Sequence, residues 1–71
     1  MQNQSPNEAR RFRVAAVAAG VSYAEVAKHL GTGRKYVSAA ARSDKNGKRV
    51  STEQWRRIWD ALMAALRDIG G

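Results

Sequence analysis

Apolar residues return at helical intervals in four stretches of the chain, and each stretch is bracketed by a start signal and a break. After the polar lead Met1 to Gln4, Ser5-Pro6-Asn7-Glu8 supplies a capping serine, a proline suited to the first helical position and a glutamate three residues beyond the cap. Ala9, Phe12, Ala15, Ala16 and Ala19 then share one helix face, Val14, Val17 and Ala18 fill the face beside it, and Gly20 ends the run. A second capping box, Ser22-Tyr23-Ala24-Glu25, opens a short helix with Val26, Ala27 and Leu30 inward, and Gly31 closes it in the left-handed conformation. Thr32 and Gly33 lead tightly into a third helix, about Arg34 to Arg42, with Val37, Ala40 and Ala41 toward the core. Ser43 to Arg49 reads as a polar, basic loop with a turn at Asn46-Gly47. Ser51 or Thr52 caps the last helix, where Trp55, Ile58, Trp59, Leu62, Met63, Leu66 and Ile69 form the cleanest amphipathic stripe in the chain. The pattern predicts an all-α domain of four helices, or five, spanning residues 1 to 71 as one unit.

Charge narrows the choice of partner. The chain of 71 residues carries 13 Lys and Arg against 6 Asp and Glu, a net charge of +7, yet it is 44% hydrophobic, which is too apolar for a disordered basic tail. The excess is local. Residues 34 to 50 hold Arg34, Lys35, Arg42, Lys45, Lys48 and Arg49 against Asp44 alone, whereas residues 51 to 71 are balanced. A focused patch of this kind attracts and orients a polyanion. There is no Cys, which removes disulfides, thiolate metal sites and cysteine nucleophiles.

Two short helices joined by Gly31-Thr32-Gly33, the second opening with Arg34-Lys35, have the layout of a helix-turn-helix. The stretch Ser22-Tyr23-Ala24-Glu25-Val26-Ala27-Lys28-His29-Leu30-Gly31, continued by Thr32-Gly33-Arg34-Lys35-Tyr36-Val37-Ser38, resembles the helix-turn-helix of phage lambda repressor and Cro-type regulators. Small Ala27 stands where the two helices touch, Gly31 at the turn, and Val26, Leu30 and Val37 at the buried positions. Lys45 to Ser51 and the helix from Glu53 to Leu62 are similar to the loop and following helix of that family, so the resemblance covers residues 8 to 66. Ala24 departs from it where many members carry Gln, and Gly33 where Ser is usual. The resemblance implies a compact lambda-repressor-like domain, with the helix-turn-helix proper at about 22–42, that binds double-stranded DNA.

On a helix starting near Gly33, the inward residues leave Arg34, Lys35, Ser38, Ala39 and Arg42 outward. Arg34, Lys35 and Ser38 are the expected base contacts, since Arg and Lys read guanine O6 and N7 in the major groove. Arg42, Lys45, Lys48 and Arg49 are expected on phosphates, joined by Tyr36 and by the start of the second helix at Ser22 and Tyr23, where free amides face outward. Phe12 and Trp55 fall on buried stripes and are read as core. So small a domain covers only part of the last apolar stripe, so Trp59, Met63, Leu66 and Ile69 are expected to face a second copy, and a homodimer would set two recognition helices about 34 Å apart on a palindromic operator.

Other chemistry finds little support. His29 is the single histidine and is read as a surface residue, with no metal site and no cofactor expected. No Ser, His and acid combination, phosphate loop or paired-carboxylate cleft is discernible, so no enzyme and no small-molecule ligand are expected. The apolar run Val14 to Val21 is far shorter than the ~20 residues that span a bilayer, and a capped helix explains it better than a signal peptide. A cytoplasmic, nucleoid-associated regulator, a repressor of the phage or mobile-element kind, is the leading expectation. The competing one is a protein-interaction module on the same scaffold, an antitoxin or an inhibitor of a nucleic-acid-binding complex. A non-specific architectural DNA binder is a third and weaker reading, because it would need no outward base-reading set.

Overall fold

The computed structural model describes residues 7–70, whose regular structure is all helical: α1 (Asn7–Ala19), α2 (Tyr23–Leu30), α3 (Arg34–Ala41), α4 (Ser43–Asn46) and α5 (Thr52–Gly70), with no strand among them. The expected cap at Ser5 and Pro6 lies outside the described residues.

The helix ends follow from the residues at them. At the end of α1 the Gly20 and Val21 amides donate to the carbonyls of Val17 and Ala16, and at the end of α2 the Gly31 and Thr32 amides donate to Lys28 and Ala27, with Gly31 also reaching Ala27. This double closure needs a left-handed residue, and Gly20 and Gly31 adopt φ of 71° and 80°. At the start of α2 the Glu25 amide donates to Ser22 Oγ at 3.2 Å. A reciprocal box fixes Ser51 as the cap of α5, because the Gln54 amide donates to Ser51 Oγ while the Ser51 amide donates to Gln54 Oε1.

The core is built on Phe12, which is fully buried. Its ring stacks on Tyr23 and meets Trp55 and Trp59 with centroids 5.7–5.9 Å apart, tying α1 to the starts of α2 and α5. Around it lie Val26, Val37, Ile58 and Leu62, with small Ala9, Ala16, Ala27, Ala40, Ala41, Ala61 and Ala65 at the helix crossings. Short side chains at those crossings let the helices approach closely, which is how so few residues enclose a core with no polar residue buried in it among the described residues. α2 packs chiefly against α5 and α3.

The face of α1 beside the core stripe is turned out: Val14 and Val17 are 61% and 80% exposed, because the periodic set through Phe12 and Ala16 already uses the inward face. Two expectations change. The segment after α3 is not all loop, because Ser43–Asn46 forms one helical turn. Apolar spacing could not announce this turn, which polar contacts hold. Ser43 Oγ donates to the Ala40 carbonyl at 2.7 Å, and from α1 the Arg13 guanidinium donates to both carboxylate oxygens of Asp44, at 2.7 and 3.2 Å, and to the Ala41 carbonyl at 2.7 Å. Trp59 turns inward instead of projecting: it is half-buried, and its indole Nε1 donates to Glu8 Oε2 at 2.6 Å. Glu8 ties the start of α1 to the middle of α5.

The Arg13–Asp44 pair makes a testable contribution. Hydrogen bonding by the guanidinium, ahead of its charge, holds the Asp44 carboxyl below its ordinary value. A carboxyl whose folded pKa is depressed stabilises the fold above the unfolded value near ~3.9, and that stabilisation disappears as pH falls through the folded value. The wild-type melting temperature should therefore drop as pH is lowered from about 5 toward 2, and Asp44→Asn should flatten that part of the profile. Parallel profiles from thermal melts across this range would exclude the pair as the cause.

Candidate nucleic-acid interface

α2, the Gly31 turn and α3 form a continuous bihelical unit. Ala27 on α2 and Val37, Ala40 and Ala41 on α3 are all buried, so the inward face of α3 is fixed by packing. The opposite face is thereby turned out. Arg34 and Lys35 are exposed at the start of α3, Tyr36 lies beside them, and Ser38 and Ala39 are half-buried one turn on. Gly33 provides no side-chain cap to the first turn of α3.

Polar contacts brace this helix at each end. Gln54 Nε2 on α5 donates to the Tyr36 hydroxyl oxygen at 3.1 Å, so the start of α3 is tied to the start of α5 while the Tyr36 O–H stays able to donate elsewhere. Farther along, Asn46 Nδ2 donates to the Ala39 carbonyl and Asn46 Oδ1 accepts from the Lys48 amide at 2.8 Å, which fastens the basic loop to α3. The Asn46-Gly47 pair was legible as a turn, but its side chain also sets where Lys48 sits.

Beyond that turn an open groove runs between α4, the loop and the first turns of α5, with Glu8 and Trp59 among the residues that line it. Lys48, Arg49 and Arg56 line it together with Gln54. Arg56 escaped the sequence reading, and Gln54 was legible there only as the residue three beyond the Ser51 cap. Residues 51 to 71 are charge-balanced in aggregate, so only its position at the start of α5 could have marked Arg56.

No family model, no curated protein and no solved structure matches this chain. Its function must therefore be read from its own residues.

Of the residues expected at phosphates, Arg42, Lys45, Lys48 and Arg49 are exposed and free of ion pairs among the described residues. Ser22 is exposed but its hydroxyl is engaged in capping, and the Tyr23 ring is stacked on Phe12 and half-buried. Met63, Leu66 and Ile69 are exposed along one flank of α5, without Trp59. Among the described residues no helix is long and apolar enough to cross a membrane.

Proposed function

We propose that this chain is a sequence-specific DNA-binding regulator with a lambda-repressor-like helix-turn-helix domain, inserting α3 into the major groove. The observation that carries the reading is the bihelical unit itself: an inward face of α3 fixed by Val37, Ala40 and Ala41, and an outward start bearing Arg34 and Lys35. An α-helix of about 10–12 Å diameter fits a major groove of about 12 Å width. In this reading Arg34 and Lys35 read base edges, with Ser38 one turn deeper, while Arg42, Lys45, Lys48 and Arg49 hold phosphates and fix the register. Tyr36 and the α2 start at Ser22 and Tyr23 add further phosphate contacts. Exposed Met63, Leu66 and Ile69 pair two copies, so the target is a palindrome and the regulator acts by occupying a promoter in the cytoplasm.

Selection of bound fragments from random DNA tests the reading, with a palindromic consensus as the expected outcome. Affinity for that consensus should also depend steeply on salt. If the dimer neutralises six to eight phosphates, the slope of log affinity against log salt should be about −5 to −7. A slope near zero would remove DNA as the partner.

The second reading, a protein-interaction module, is favoured by the apolar surface: Met63 and Ile69 are 53% and 55% exposed, and Val14 and Val17 more so. A stoichiometric heteromeric partner recovered with the chain, together with the flat salt dependence, would favour it.

A further inference from the structure

Glu25 and His29 of α2 and Asp68 of α5 bring one ligand atom each to within 4.8 Å of one another. Glu25 and His29 are four residues apart and so share one face of α2. Asp68 reaches them from the last turn of α5, its Oδ2 lying 3.8 Å from His29 Nε2. With 13 Lys and Arg available, no Lys or Arg pairs with either carboxylate among the described residues. Two carboxylates thus converge on one imidazole, with His29 as the only basic side chain paired there among the described residues. Like charges held this close repel, and a cation between them removes that repulsion.

We infer that Glu25, His29 and Asp68 bind a divalent first-row transition ion of the zinc type, an ion that clamps the end of α5 onto α2. The donor set is the reason for the class: imidazole suits zinc and its neighbours, whereas calcium and magnesium select oxygen-only sites. The geometry needs little adjustment. Ligand atoms around a tetrahedral ion at ~2.0–2.1 Å lie ~3.3 Å apart, so rotamer changes in surface side chains close the site. Three protein ligands leave the fourth position to water. His29 is exposed, as a surface residue was expected to be; what the sequence could not show is Asp68, remote in the chain and adjacent in space. The inference is independent of DNA binding.

Zinc chloride titrated into the untagged full chain is the test, followed by calorimetry and by the ring proton resonances of His29, which are unique because the chain has one histidine. The expected result is saturable one-to-one binding with those resonances shifted in step. His29→Gln, Asp68→Asn and Glu25→Gln should each weaken zinc by about tenfold or more, since loss of a mere supporting contact to a ligand already costs ~10–100-fold. Zinc binding that leaves the His29 resonances unmoved overturns the site, even if a variant fails to fold. So does equal affinity for zinc in the three folded variants, or magnesium binding as tightly as zinc.

Discussion

Phe12→Ala is expected to leave the chain without a cooperative thermal transition. The Phe12 side chain is fully buried and its ring touches Tyr23, Trp55 and Trp59, so one side chain joins α1 to α2 and α5. Truncating a buried phenylalanine costs about 3–5 kcal/mol, through lost burial and the cavity left behind. A domain of this length has about 3.5–10 kcal/mol of total stability, so the loss removes much or all of it. Far-UV circular dichroism should show a broad, early melt. Indole fluorescence should shift as well, because Trp55 and Trp59 are the chain's two tryptophans and both flank the ring. Val17→Ala provides the contrast. Val17 is 80% exposed, and surface changes of this kind stay within about 0.5 kcal/mol, or ~2–4 °C for a domain this size. If Phe12→Ala melted cooperatively within about 5 °C of wild type, the aromatic cluster would not be the centre of the fold.

What was legible in the sequence was local. The stripe from Trp55 to Ile69 repeats at the helical period over several turns, the Gly31 turn announces itself through φ, and the Ser51 box lies within four residues, so all three could be read from neighbours in the chain. Other features depend on residues far apart in sequence. The α4 turn is held by Arg13, 31 positions before Asp44, and no spacing rule links a cation in one helix to a turn after another. Trp59 and Met63 lie on the same flank of the stripe, and the carboxylate of Glu8, 51 positions from Trp59, draws only the tryptophan inward. His29 and Asp68 meet for the same reason. On α1, periodicity identified the inward face correctly. The surrounding helices cover only one side of α1, and Val14 and Val17 lie on the other.

The proposed recognition surface meets the same limit: the exposed charges of α3 could be assigned to a face, while any contact they make depends on geometry with a partner. Substitution can separate the two roles. Arg34→Ala and Lys35→Ala remove exposed side chains that pack against nothing in the core, so the variants should fold as the wild type does. If Arg34 and Lys35 read base edges, each loss should cost about 1–3 kcal/mol against the preferred operator and relax the consensus at one position per half-site. The double variant should then fall toward non-specific affinity, which lies ~10³–10⁷ below specific affinity in proteins of this class. Lys48→Ala should behave differently. Its amide is fixed by Asn46 in the loop beyond α3, and its side chain lines the groove at the start of α5. It should weaken every sequence alike and make the salt slope less steep by about one unit per protomer, because a phosphate contact carries charge but no base information. Binding measured for each variant on the consensus and on single-base changes, at two salt concentrations, separates these outcomes. Uniform weakening by Arg34→Ala and Lys35→Ala would make them phosphate ligands. A change of consensus in Lys48→Ala would move the reading element from α3 to the loop.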